Sequence, residues 1–229
     1  MNWIERYNNK EEVNVWNELR ALDYNQLSEG ETEEVMAVVK ETIARISHNI
    51  SVIYEVFGLD YKHTQTADAL LLALHNKTRP YGFLSVFLDC FLKNIDQVDF
   101  IQLKDKHFPH ESELDPLYIA SVQDMITLLS DGSWEEEMED LMEEGEKPYL
   151  YISPDIYHKD HCSGGMPYGI VLEHKPVLDS FLCNTKYGAL YFLDYLRLTF
   201  DHCGFTNLKE EHDIPVSYKT AIKSKLRAF

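Results

Sequence analysis

The chain has 229 residues, 45% of them hydrophobic and 12% aromatic, which is typical of a globular protein that buries a substantial core. Its 39 Asp and Glu outnumber its 21 Lys and Arg, so the formal net charge is −18. This balance argues against binding to nucleic acid or to an anionic membrane, and it favours encounter with a basic protein partner.

The negative charge is concentrated in the first two thirds of the chain. Residues 1–147 hold 30 acidic and 12 basic residues, whereas residues 148–229 hold nine of each. The N-terminus shows no apolar leader segment, and no apolar run is long enough to span a bilayer. The cysteines lack the C-x-x-C spacing and are too few for a secreted disulfide framework. They are Cys90, Cys162, Cys183 and Cys203. We therefore expect a cytoplasmic protein.

The first part of the chain is predicted to be helical. Apolar spacing predicts a short amphipathic helix over residues 11–22. Ser28 and Glu31 have the S-x-x-E spacing of a capping box, in which each side chain bonds the other residue's backbone N–H. The apolar face behind them continues through about seven turns. Gly58 is well placed to end this long helix.

Shorter elements follow. Apolar stripes predict two helices, over residues 67–75 and residues 83–92. Residues 98–103 and 116–120 are rich in β-branched and aromatic side chains and are predicted to be strands. Ser121 has the position of an N-cap for a further helix.

The last third is predicted to be β followed by α. Residues 148–153 and 168–173 indicate a pair of strands, and residues 189–204 indicate a helix closed by its final glycine. Residues 217–229 are weakly periodic, and their packing is left open.

These elements together predict an α+β fold. An N-terminal helical layer, residues 1–78, would pack on a small mixed or antiparallel sheet with flanking helices, residues 79–229. The two regions could equally form one continuous domain.

Residues 135–146 contain eight acidic residues and no basic one. A thin apolar stripe beginning at Trp134 and Met138 predicts a surface helix. Its charged side is either a solvated face or a recognition surface for a basic partner. The candidate partner-binding residues are Glu135, Glu136, Glu137, Glu139, Glu143 and Glu144.

A loop between the two predicted strands concentrates chemically versatile side chains. His158, His161 and Cys162 could supply zinc ligands, with a fourth from His174, His202 or Cys203. Cys162 and His161 could alternatively form a nucleophile and base. Either arrangement would make the protein a small hydrolase or a metal-dependent enzyme.

The turn chemistry of this loop favours a structural role instead. Proline presets φ, aspartate bonds nearby backbone, and adjacent glycines permit the chain to reverse direction. The residues assigned to this structural turn are Pro154, Asp155, His158, Ser163, Gly164, Gly165 and Pro167. We therefore predict no metal and no catalytic residue here.

Signatures of the large enzyme classes are missing from the sequence. It contains no G-x-S-x-G, H-E-x-x-H, Walker or G-x-G-x-x-G motif. We therefore predict a protein without a cofactor that acts by binding.

Four stretches resemble members of the SUKH superfamily, which includes the yeast cell-wall synthesis regulator and many bacterial immunity proteins. They are "GFLSVFLDCFLKNIDQVDFIQL", "DPLYIASVQDMITLL", "ISPDIYHKDHCSGGMPYGIVL" and "FLDYLRLTFDHCGF". The resemblance extends over roughly residues 79–205. The resemblance implies an α+β domain without catalytic residues that binds a protein, often a toxin nuclease. On this basis the chain is expected to be a bacterial immunity-type inhibitor of a basic toxin.

Overall fold

A computed structural model describes residues 2–108, 114–130, 132–153, 168–183, 189–208 and 214–229. It confirms the predicted α+β fold. The described helices are α1 (Trp3–Asn8), α2 (Glu12–Arg20), α3 (Glu29–Val56), α4 (Asp68–Thr78), α5 (Val86–Asn94), α6 (Ile101–His107), α7 (Val122–Leu128), α8 (Ser133–Glu143), α9 (Phe192–Asp201) and α10 (Val216–Lys225). The described strands are β1 (Val98–Asp99), β2 (Tyr118–Ile119), β3 (Tyr149–Ser153), β4 (Tyr168–Val171), β5 (Phe181–Cys183) and β6 (Leu190–Tyr191).

The described strands form two antiparallel sheets. β1 pairs with β2, and the larger sheet has the order β3-β4-β5-β6. The backbone N–H of Ala120 donates to Ile152 O at 2.8 Å and links the end of β2 to β3. The predicted pairing of the strands around residues 148–153 and 168–173 is confirmed, with Leu150 opposite Ile170.

Helix α3 is the longest described element, and both of its predicted ends are confirmed. The Ser28 side chain accepts from the backbone N–H of Glu31, and the Glu31 carboxylate accepts from Ser28 N, so the capping box is complete. Gly58, at φ 66°, follows its C-terminal end. Because α3 packs against α1, α5 and α10, it joins the start, the middle and the end of the chain.

The prediction of a strand over residues 98–103 was wrong beyond its second residue. Only Val98–Asp99 pair as a strand, and α6 begins at Ile101. The cause is local, because the Asp99 carboxylate accepts from the backbone N–H of Ile101 at 3.0 Å and of Gln102 at 3.4 Å. This side chain satisfies the free donors of a helix start, which the apolar pattern alone does not reveal.

Two predicted helices begin later than their apolar stripes. Phe83 lies in a β-bridge with Glu173, and α5 starts only after Ser85, whose hydroxyl accepts from Leu88 N at 3.3 Å. The prediction of a helix from residue 189 was wrong at its start, since Leu190–Tyr191 form β6 against β5. Tertiary pairing overrides helical spacing at both places.

The core is contiguous across the predicted boundary at residue 78. Buried side chains from Tyr7 to Phe229 form one hydrophobic cluster. The ring of Trp16 in α2 meets that of Phe87 in α5 edge-on at 5.3 Å, and its indole N–H donates to the buried Thr42 hydroxyl. Helix α10, whose packing was left open, lies against α3.

A buried ion pair joins the helical layer to the larger sheet. Arg20 donates from Nε and Nη2 to Asp179 Oδ2 at 3.1 and 2.8 Å, and from Nη1 to Asp194 at 2.8 Å. The side chain of Asp179 is fully buried and that of Arg20 is 6% exposed. The guanidinium also lies 4.2 Å from the ring centroid of Tyr191, so a single cation connects α2, β6 and α9.

Within the described ranges, no helix is both long enough and apolar enough to cross a membrane.

Candidate functional site

Helix α8 carries the predicted partner-binding residues and is firmly attached to the body of the protein. Trp134 and Met138 bury its inner side, and the Trp134 indole N–H donates to Tyr149 O in β3 at 3.0 Å. The ring of Tyr81 meets Trp134 edge-on at 4.9 Å. The predicted apolar stripe weakens toward its end, since Met142 is 43% exposed. The structure therefore confirms a surface helix with a well-anchored N-terminal half.

Five of the six predicted partner-binding residues point to solvent. In the part of the chain that the structure describes, none of their carboxylates forms an ion pair. The nearest base in sequence, Lys147, instead pairs with Glu173 at 2.8 Å. We call these five residues the acidic face, namely Glu135, Glu136, Glu139, Glu143 and Glu144.

The sixth residue, Glu137, has a different position. It is half-buried, and its carboxylate accepts hydrogen bonds from the hydroxyl groups of both Tyr149 and Tyr151. Burial, followed by the hydrogen bond to Glu137, raises the pKa of Tyr151 above its usual value. Glu137 thus attaches α8 to β3 and is unavailable to a partner in this arrangement.

The sheet beneath Glu137 is closely packed. A Cβ atom on Gly169 would lie 2.5 Å from Cδ2 of Tyr149 and 3.0 Å from Sγ of Cys183, so only glycine fits there. Burial raises the pKa of the Cys183 thiol to about 12. A thiol with such a pKa is a poor nucleophile at neutral pH. The arrangement supports attachment of α8 and offers no activated nucleophile.

Replacement of Glu137 by glutamine should weaken this attachment. We expect Glu137→Gln to lower the free energy of unfolding by about 1–2 kcal/mol, because two tyrosine hydroxyls lose a charged acceptor in a partly buried position. Urea unfolding measures the difference. Glu136→Gln removes the same charge one position away and should change stability by less than about 0.5 kcal/mol. Equal effects of the two substitutions would contradict the attachment role.

The predicted loop site lies outside the described residues. This applies to His158, His161 and Cys162 and to all residues of the predicted turn, so the turn, zinc and nucleophile hypotheses stay predictions.

The three residues considered as a fourth ligand are described. His174 is exposed, a ring nitrogen of His202 lies 2.8 Å from Leu198 O, and Cys203 is 1% exposed. Burial raises the pKa of the Cys203 thiol. No group of three His, Cys, Asp or Glu suited to a metal ion occurs within the described ranges.

The sequence alone did not identify the two tyrosines whose hydroxyl groups donate hydrogen bonds to Glu137. Their signal is present in the sequence, because residues two apart on a strand share one face. Tyr149 and Tyr151 therefore lie on the same side of β3, and their rings meet at 5.3 Å. What the sequence did not indicate is that α8 covers this face.

No protein-family model matches the chain, and no curated protein or solved structure matches it either.

Proposed function

We propose that this chain is a non-enzymatic protein-binding module that holds a basic protein, most specifically an immunity-type inhibitor of a basic toxin such as a nuclease. The observation that carries the proposal is the acidic face, whose five carboxylates are exposed and without ion pairs among the described residues. The resemblance to SUKH proteins in residues 79–205 supports it and suggests a bacterial cytoplasmic setting.

Part of the acidic face destabilises the helix that carries it, although Glu135 and Glu136 lie in the first turn, where a negative charge is favourable. Glu135, Glu139 and Glu143 succeed one another at i, i+4 spacing, at which like charges destabilise a helix. The last turn of α8 contains no basic residue, so Glu143 and the C-cap Glu144 oppose the helix dipole. Charges that cost local stability and lack an internal partner are expected where an external partner provides the opposite charge.

A basic nuclease fits this surface electrostatically. Nucleases that approach phosphates carry clustered Lys and Arg, and a negative surface accelerates their diffusional encounter. The carboxylates are exposed, so they contribute by steering without the large cost of burying an unpaired charge. The anchoring of α8 through Trp134, Met138 and Glu137 supports a surface of fixed shape.

The test is kinetic. One variant combines three substitutions, Glu136→Lys, Glu139→Lys and Glu143→Lys. Its binding and that of the wild type to a purified basic nuclease domain of a bacterial toxin are measured by surface plasmon resonance. At low salt we expect association of the variant to be slower by about 10-fold or more, with a smaller change in dissociation. At high salt the two proteins should converge, since screening shortens the range of exposed charges to about 3 Å at 1 M.

A matched control changes the net charge equally at other exposed acids. The control variant combines Glu33→Lys, Asp60→Lys and Asp105→Lys. These three acids lie on or beside α3 and α6, and none of them is ion-paired among the described residues. This control should associate nearly as fast as the wild type. If both triple variants slow association equally, overall charge and not the acidic face steers the partner. If neither does, the acidic face is a solvated surface.

A further inference from the structure

Helix α10 presents a basic and apolar surface on an otherwise acidic protein. It contains three lysines and no acidic residue. Val216 is 76% exposed, the highest value of any large hydrophobic side chain among the described residues. Lys223 is also exposed and forms no ion pair in the part of the chain that the structure describes. Lys225, in contrast, pairs with Glu55 of α3 at 2.8 Å. The helix therefore offers one apolar and one cationic contact to a partner.

These two contacts lie on the outer side of α10. Ile222 is fully buried, and the ring of Tyr218 meets that of Phe57 edge-on at 5.3 Å, so these side chains attach the opposite side to the body of the protein. Val216 and Lys223 are seven positions apart, and residues at this spacing share one side of a helix. We call the surface formed by Val216 and Lys223 the basic face of α10.

The acidic face of α8 has a complementary pattern in the reverse order. Met142, which is 43% exposed, lies seven positions after Glu135, just as Lys223 lies seven positions after Val216. Seven positions span about 10.5 Å along a helix. Two such helices packed antiparallel therefore bring Met142 onto Val216 and Glu135 onto Lys223 at the same time. The apolar contact and the ion pair fit one register.

The same register brings opposite charges together at two further points. Between the end contacts, Glu139 falls opposite Lys219. The last turn of α8, with Glu143 and Glu144, then lies beside the N-terminus of α10. The N-cap there, Pro215, makes no side-chain cap bond. The positive end of the helix dipole therefore favours an incoming carboxylate.

We propose that this chain associates with itself head to tail, with the basic face of α10 in one copy docked on the acidic face of α8 in a second copy. Because the two surfaces differ, a dimer keeps one of each, and longer chains form at high concentration. A contact between two single helices is small and both copies carry a charge of −18, so we expect a dissociation constant of about 10–1000 µM. This association involves no other protein, and a basic toxin bound to the acidic face would compete with it.

Sedimentation velocity of the wild type at concentrations up to about 1 mM measures the association. At 0.1 M salt, screening limits charge interactions to about 10 Å, which reduces repulsion between the two bodies and leaves contact pairs in place. The weight-average mass should then rise with concentration. In 1 M salt the range falls to about 3 Å, and the mass should return toward that of the monomer.

Two charge reversals identify the surfaces. Lys223→Glu alters only the basic face of α10 and Glu135→Lys only the acidic face of α8. Each should weaken self-association at least about 5-fold, because an attraction becomes a repulsion. An equimolar mixture should form a dimer with nearly wild-type affinity, since one variant keeps Glu135 and the other keeps Lys223. This mixed dimer should not grow further.

Lys40→Glu is the matched control for Lys223→Glu, because it changes the net charge equally. Lys40 is an exposed residue of α3 that forms no ion pair among the described residues. It lines a different cavity, together with His63 and Asn94. The control variant should associate as the wild type does.

Three results would overturn the proposal. They are a wild type that stays monomeric over this range at 0.1 M salt, a mixture that associates no better than either variant alone, and equal weakening by Lys40→Glu. If a charge variant does not fold, Val216→Ser replaces it and should weaken association at least about 3-fold through the lost apolar contact. Unchanged association of Val216→Ser would also overturn the proposal. Binding of the acidic face to a toxin is measured separately, so either proposal can fail without the other.

Discussion

Gly204→Ala is expected to lower the free energy of unfolding by about 2–4 kcal/mol. Gly204 follows α9 at φ 96°, a conformation that an alanine adopts only with strain. A Cβ atom there would lie 2.8 and 2.9 Å from two ring atoms of Phe100 and 3.3 Å from Cδ1 of Ile53. Both neighbours are fully buried, so neither can move aside easily. Urea unfolding monitored by circular dichroism measures the loss.

Gly58→Ala is the matched control, because it separates backbone strain from crowding. Gly58 also has a positive φ, at 66°, but a Cβ atom there would meet nothing within 4 Å. Gly58→Ala should therefore lower the free energy of unfolding only through the strain of placing alanine at a positive φ, by about 1 kcal/mol. If Gly204→Ala costs no more than Gly58→Ala, the approach of Gly204 to Phe100 is not a tight contact in solution.

Arg20→Met should lower the free energy of unfolding at neutral pH by about 3–5 kcal/mol. The reason is that it leaves the fully buried carboxylate of Asp179 without a cation. Adding Asp179→Asn to Arg20→Met should restore much of this loss, since the amide has no charge to leave unpaired. Thermal unfolding of the two single variants and the double variant completes the cycle. A double variant no more stable than Arg20→Met would show that packing of the arginine, not its charge, matters.

The contribution of Asp179 to folding stability should change with pH in one direction only. Burial raises the pKa of Asp179 to about 6 against an ordinary value of 3.8, despite the opposing effect of Arg20. Between those values the folded chain binds more of this proton than the unfolded chain does. The contribution of Asp179 to stability is therefore greatest below about pH 4 and is lost as pH rises through 6. Asp179→Asn should lack this component, and the difference in unfolding free energy between wild type and variant should change across that window. A pH-independent difference would contradict the raised pKa.

The parts of the fold that could be predicted are those determined by neighbouring residues. Helix α3 was predictable because Ser28 and Glu31 form the capping box and Gly58 permits the positive φ at its other end. The β3 and β4 strands were predictable from their apolar and aromatic runs. In each case the chemistry that starts or ends the element lies within a few positions of it.

The parts that could not be predicted depend on distant partners. Leu190–Tyr191 have helical spacing yet form a strand, because β5 provides a hydrogen-bonding edge. Residues 217–229 are only weakly periodic, and the placement of the last four, residues 226–229, depends on Asn49, far away in α3. The candidate site shows the same division. The charge run predicted a surface helix, but the inward position of Glu137 depends on tyrosines of β3 that sequence spacing does not place beneath it.

The central position of α3 also has a consequence for how quickly the chain can fold. Arg45 bonds both Asn8 and Ala228, and the β-bridge of Phe83 with Glu173 closes another long stretch of chain. Each such contact requires a large loop to close before any stabilisation is gained. Folding rates fall as the mean sequence separation of contacts rises. The chain is therefore expected to fold more slowly than its high helical content suggests, with residues 226–229 docking after α3 and α9 have met.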